Sequence, residues 1–120
     1  MRIERELMRG AGPVAVLSLL SRGEMYGYQL VEALTERTEG TLEMGQSTLY
    51  PLLYNLEAKG LVRSERRVAE NGRTRKYYAL TGQGEMRLAS DRKQWQAVTD
   101  AMQSLGVVSG RLTAPCLAVG

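Results

Sequence analysis

A chain of 120 residues, 43% hydrophobic and 24% charged, has room for one compact domain and one core, and a domain of that size leaves so much surface exposed that self-association is a natural supplement. The absence of histidine removes the commonest general base, every Ser-His-Asp triad and every His-containing zinc or haem site, while the single cysteine, Cys116, can form neither an internal disulfide nor a thiolate cluster. The net charge of +3 is unevenly spread: residues 61–80 hold six cations against two carboxylates, a local +4, and the rest sums to −1. Together with a charged amino terminus and no long apolar run, these features predict a cytoplasmic protein without a membrane span or secretion signal.

Pro13 suits a first helical turn, where its missing N–H costs nothing, and Val14, Val16, Leu17, Leu19 and Leu20 follow up to the break at Arg22 and Gly23. This predicts a largely buried helix beginning at Pro13. Gly27, Leu30, Val31 and Leu34 recur at i, i+3, i+4 and i+7 and predict an amphipathic second helix, which gives out over residues 38–41. Leu42 and Met44 are read as a short strand. Ser47 and Thr48 are both suitable N-caps for a third helix, and with Thr48 in that role Pro51 takes the third helical position. Leu49, Leu52, Leu53 and Leu56 form its buried stripe, and Lys59 followed by Gly60 gives a basic last turn and a left-handed stop.

Residues 61–68 and 73–80 are strand-like and are joined by Ala69, Glu70, Asn71 and Gly72, so they predict a β-hairpin with a basic tip. Thr81 can cap a last helix running to about Leu105, on which Leu88, Trp95, Val98, Met102 and Leu105 keep a three-four spacing interrupted by Asp91. The expected fold is mainly α with a small β-hairpin (α+β). It comprises a winged helix-turn-helix over residues 1–80, a dimerisation helix over 81–106 and a loose tail over 107–120.

Such a unit can lay its third helix in the major groove of double-stranded DNA while the hairpin tip grips phosphates. On a helical wheel the leucines of the third helix cluster on one side; Ser47, Pro51 and Tyr54 lie opposite, flanked by Thr48, Tyr50 and Asn55. Hydroxyls and an amide can address phosphates or base edges, and Asn can bond adenine in bidentate fashion, but no arginine stands there to read guanine. Tyr50 and Tyr54 could equally pack on neighbouring elements. On the wing, Tyr77 and Tyr78 should point to opposite faces.

The strings LLSRGEMYGYQL, STLYPLLYNLEAKGLV and NGRTRKYYALTGQGE, in this order and spacing, resemble the PadR-like winged-helix transcriptional regulators over roughly residues 7–105. The resemblance implies a dimeric repressor whose last helix crosses to the partner subunit and whose third helix and wing read a roughly palindromic operator. Carried over position by position, it makes Ser47, Thr48, Tyr50, Pro51 and Tyr54 of the third helix and Asn71, Gly72, Arg73, Arg75 and Lys76 of the wing candidate DNA contacts. Ser47 stands where glycine is frequent in the family, and the chain has no helical continuation after Leu105, which is similar to the short class with a single C-terminal helix. In some short members a Trp placed like Trp95 lines a pore at the dimer interface and stacks flat aromatic compounds. Trp95 is thus a candidate effector site or, alternatively, a plain interface anchor. No cofactor or metal is expected. The competing readings are a winged helix used only for protein association, against which the basic hairpin argues, and an enzyme, for which the residues offer no catalytic constellation.

Overall fold

The first helix starts well before Pro13. In the computed structural model, which describes residues 1–109, α1 spans Arg5–Leu20 and carries Pro13 in its interior. Pro13 has no N–H to give the carbonyl of Arg9, so local chemistry favours the later start that the sequence suggested. Packing overrides it: Met8 lies against the core, and Gly12 is buried where a β-carbon would sit 3.1 Å from Leu52 Cδ1. Val16, Leu17, Leu19 and Leu20 then form the buried face.

The short strand expected at Leu42 and Met44 does not form. Instead β1, Met25–Tyr26, pairs antiparallel with the second strand of the wing, Met25 opposite Tyr78 and Tyr26 opposite Tyr77. Two residues are too few for periodicity to reveal. Tyr26 then turns directly into α2, Gly27–Arg37, and its backbone N–H donates to Gln29 Oε1 at 3.1 Å. Helix α3, Gln46–Ala58, is capped by the backbone of Gly45. Ser47 and Thr48 therefore lie within the first turn instead of ahead of it, and Pro51 falls in the second turn, past the third position expected for it. The end of α3 is as anticipated: Gly60, at φ 77, donates to Glu57 O at 2.9 Å and Leu61 N–H donates to Leu56 O at 2.9 Å. This reciprocal closure needs a left-handed residue and is sealed by the buried pair Leu56 and Leu61.

Strands β2, Val62–Val68, and β3, Thr74–Leu80, form the wing, and the sheet order is β1-β3-β2. Its tip is a three-residue loop. Ala69 N–H donates to Arg73 O at 2.7 Å and Gly72 N–H donates to Ala69 O at 2.9 Å, a wider closure than a two-residue Asn-Gly turn. Helix α4 covers Gly82–Ser104. Its first turn is tied down by Thr81, whose Oγ1 donates to Gly60 O at 2.6 Å and accepts from Gly84 N–H at 3.0 Å. Gly84 is buried so closely that a β-carbon there would collide with the carbonyl oxygen of Leu61.

One compact unit extends from Met1 to Ala89, so it takes in the opening of α4. Its core joins Val16, Leu17 and Leu20 of α1, Leu30 and Leu34 of α2, and Leu49, Leu53 and Leu56 of α3 with Val62, Tyr78 and Leu88. Burying each such aliphatic side chain contributes about 1.5–3 kcal/mol. Leu88, assigned to the dimer seam from its spacing, is only 3% exposed and belongs to this core. The second unit begins at Ser90. Within it Trp95, Val98, Met102 and Leu105 are all exposed on the single chain. The tail expected over residues 107–120 lies outside the described residues from 110 onward, Cys116 included.

Candidate nucleic-acid interface

The leucine stripe of α3 faces the core, which leaves Ser47, Thr48, Tyr50, Pro51, Tyr54 and Asn55 exposed. Pro51 forms the ridge between two depressions. On one side Pro51, Tyr50 and Tyr54 share an open groove of about 360 Å³ with Lys76 and Tyr78 of β3 and with Glu57. On the other side Thr48, Pro51 and Asn55 share a groove of about 530 Å³ with Arg5 and Arg9 of α1. Tyr54 is 76% exposed and has its ring free for contact. Tyr50 is more constrained, since its hydroxyl end lies on the backbone of Gly27, where an added β-carbon would be 2.5 Å from Oη.

Strand alternation divides the wing residues between two faces. Lys76 and Tyr78 lie on the face toward α3, with Lys76 Nζ 5.7 Å from the Tyr78 ring centre. Tyr78 is buried, and burial first, then the Glu57 carboxylate, raises its hydroxyl pKa above the ordinary tyrosine range, so it stays neutral. Glu57 itself accepts a hydrogen bond from Ser64 Oγ at 2.6 Å. Arg75 and Tyr77 take the opposite face. The Arg75 guanidinium stacks 4.4 Å from the centre of the Tyr26 ring, and Tyr26 meets Tyr77 edge-on at 5.5 Å. Arg73 and Arg75 line a third groove with Gln46, the first residue of α3, and with Tyr26 and Tyr28. Asn71 Oδ1 accepts from Arg73 N–H at 3.0 Å, which ties that side chain to the turn and leaves its amide nitrogen and one lone pair of the oxygen for an outside partner. Gly72 shapes the loop.

The basic run is less uniform than its charge suggests. Arg67 donates to both carboxylate oxygens of Glu24, with Nη2 at 2.8 Å from Oε1, reaches Glu65 at 3.2 Å and stacks over Tyr77 at 4.6 Å. It fixes the wing to the segment between α1 and β1 and is spent as a free cation. These hydrogen bonds hold the Glu24 carboxyl below the ordinary glutamate range and raise the Arg67 guanidinium pKa. Because the folded pKa of Glu24 lies below its unfolded one, the pair's contribution is fully present above the unfolded glutamate range and is lost as pH falls through the folded value. Acid titration followed by NMR should therefore show the resonances of Arg67 and Tyr77 moving together with the Glu24 carboxyl, and Glu24→Gln should abolish that coupled movement.

Arg5, Arg9, Gln46 and the Glu24–Arg67 tether do not emerge from the sequence. The first two were hidden by starting α1 at Pro13, although Arg2, Arg5 and Arg9 recur at i, i+3 and i+7. No local signal couples Glu24 to Arg67, which are 43 residues apart.

Comparison with known proteins places this geometry. Residues 16–90 match the model of the transcriptional regulator PadR-like family. The transcriptional regulator Rv3488 of Mycobacterium tuberculosis is 36% identical over 89 residues, 74% of this chain and 79% of that protein. A PadR family transcriptional regulator from Eggerthella lenta superposes with a TM-score of 0.74 at 35% identity, covering 88% of each chain. A Streptococcus transcriptional regulator gives 0.75 at 32% identity, covering 86% of this chain and 99% of its own. A family match over more than half the chain, on a winged helix with the sheet and helices described above, leads to one conclusion: the chain belongs to the PadR-like family of transcriptional regulators.

Proposed function

We propose that the protein is a sequence-specific DNA-binding repressor that works as a homodimer in the cytoplasm, with α3 in the major groove of a roughly palindromic operator and the wing on adjacent phosphates. The observation that carries this reading is the exposed Pro51–Tyr54 ridge of α3 flanked by Lys76 of the wing. A helix entering the major groove needs side chains free to reach base edges and cations beside it to meet the backbone. Selection of bound sequences from random DNA tests the reading and yields the operator; a chain that enriches nothing and shifts no duplex would favour a winged helix used for protein association.

With an operator in hand, the two sets of residues should separate. Tyr54→Ala and Asn55→Ala should cut the preference for operator over random DNA by about 1–3 kcal/mol for each base no longer read. Arg73→Ala with Arg75→Ala should instead weaken binding to every sequence, lowering the log–log salt slope by about 0.9 for each phosphate no longer neutralised. Fluorescence anisotropy over a salt series distinguishes the two.

Dimerisation is assigned to the exposed apolar stripe Trp95, Val98, Met102 and Leu105. A Trp left 44% exposed in that stripe offers a flat face to a planar aromatic effector. To act as an inducer such a compound must bind the DNA-free dimer better than the DNA-bound one. Titration of planar dyes should show quenching of Trp95 and operator release at the same concentration, and Trp95→Ala should lose both; a Trp95→Ala dimer that still binds dye and releases DNA would reduce Trp95 to an interface anchor.

A further inference from the structure

We infer that Arg5 and Arg9 form a second phosphate-binding element, placed on the flank of α3 opposite the wing. The inference rests on the DNA-binding reading above and extends it to a helix that the reading does not use. Arg5 and Arg9 stand four residues apart on α1, so they project from one face of that helix. That face opens on the groove they share with Thr48, Pro51 and Asn55, the outward side of α3 that lies away from Lys76. No carboxylate lines this groove, and neither arginine is ion-paired among the described residues. Arg67 shows the contrast, its charge taken up by Glu24 and Glu65.

The geometry of a duplex gives these two cations a role. The major groove is bounded by two phosphate backbones, so a helix lying in it has a phosphate strand along each flank. On one flank of α3 stands Lys76; on the other the structure presents Arg5 and Arg9 and no other cation in the groove. Arginine suits this position because its planar fork bonds phosphate oxygens in pairs. Contacts of this kind set register and affinity and carry no base information.

The test compares wild type, Arg5→Ala/Arg9→Ala and Arg5→Lys/Arg9→Lys on the selected operator and on a random-sequence duplex, by anisotropy over a salt series, with sedimentation confirming that all three have the same mass. The alanine pair should weaken binding to both duplexes by the same factor and lower the log–log salt slope by about 0.9 for each phosphate left unneutralised, roughly 3 to 4 for a dimer in which all four arginines are replaced. The lysine pair, which keeps the charges, should restore most of the slope. An unchanged slope in the alanine variant, a weakening confined to the operator, or a weakening explained by dissociation to monomers would overturn the assignment. A wild-type protein that binds neither duplex would overturn the DNA-binding reading and this element with it, whereas wild-type binding with an unaffected alanine variant overturns this element alone.

Discussion

If the proposed homodimer forms through the α4 stripe, glutamate at both Val98 and Met102 is expected to convert it to a monomer and to lower its affinity for a full operator by about 10²–10⁴, the range gained when two linked modules bind together. Both side chains are exposed on the single chain, so charging them disturbs no packing within the protomer. The cost falls on the assembly, where four unpaired carboxylates, two from each protomer, would have to be desolvated against apolar surface. Sedimentation should report a monomer, circular dichroism an unchanged fold, and a half-site duplex should bind wild type and variant with far closer affinities than the full site does. A variant that stays dimeric would move the interface away from this stripe. Leu88→Ala should behave differently. Its side chain is in the core of the first unit, so truncation should lower the melting temperature before it alters the mass.

Gly84→Ala is expected to be the most damaging single-methyl substitution at the junction of α3, the wing and α4. The added carbon would collide with the carbonyl oxygen of Leu61 and press on Leu80 Cδ2 at 2.9 Å. A backbone oxygen cannot swing aside as a side-chain tip can, so the first turn of α4 must shift as a body. Overpacking of this kind costs about 1–3 kcal/mol, a large part of a total stability of about 5–15 kcal/mol. For a domain of this size that corresponds to a fall in melting temperature of about 4–8 °C per kcal/mol. Gly82→Ala is the control: nothing lies within 4 Å of a β-carbon there, and helix propensity favours alanine. Thermal melts of the two variants should move in opposite directions, or the second not at all.

How far each feature was legible depended on whether its cause was local. The amphipathic spacing of Leu30 and Leu34, the leucine stripe of α3, the left-handed stop at Gly60 and the cap at Thr81 are decided by residues within a turn or two, and each forms as its sequence predicts. The turns of α1 that precede Pro13 pack through Met8 on the core and through Gly12 beneath Leu52 and Met44, residues more than thirty positions from Gly12 in the chain, so Pro13 pointed to the wrong boundary. Strand β1 exists only because β3 offers it an edge. The same distinction runs through the candidate interface. Helical periodicity is enough to show that Tyr54 and Pro51 face outward, whereas the sharing of one groove by Arg9 and Asn55, or the neutralisation of Arg67 by Glu24, requires the chain to be folded. Leu88 fitted the spacing of the exposed seam and the demands of the core equally well; only packing decides between them.

The hydrogen bonds around Thr81 have a mechanical consequence. Thr81 N–H donates to Leu61 O at 3.1 Å, its hydroxyl joins Gly60 O to Gly84 N–H, and Gly84 sits flush against Leu61, so no slack segment separates the end of α3 from the beginning of α4. The joint behaves as a welded corner. A rotation of the first turn of α4 would have to break these bonds or carry the segment that closes α3 along with it. Thr81→Val keeps the volume while removing both hydroxyl bonds, and would turn the corner into a pivot.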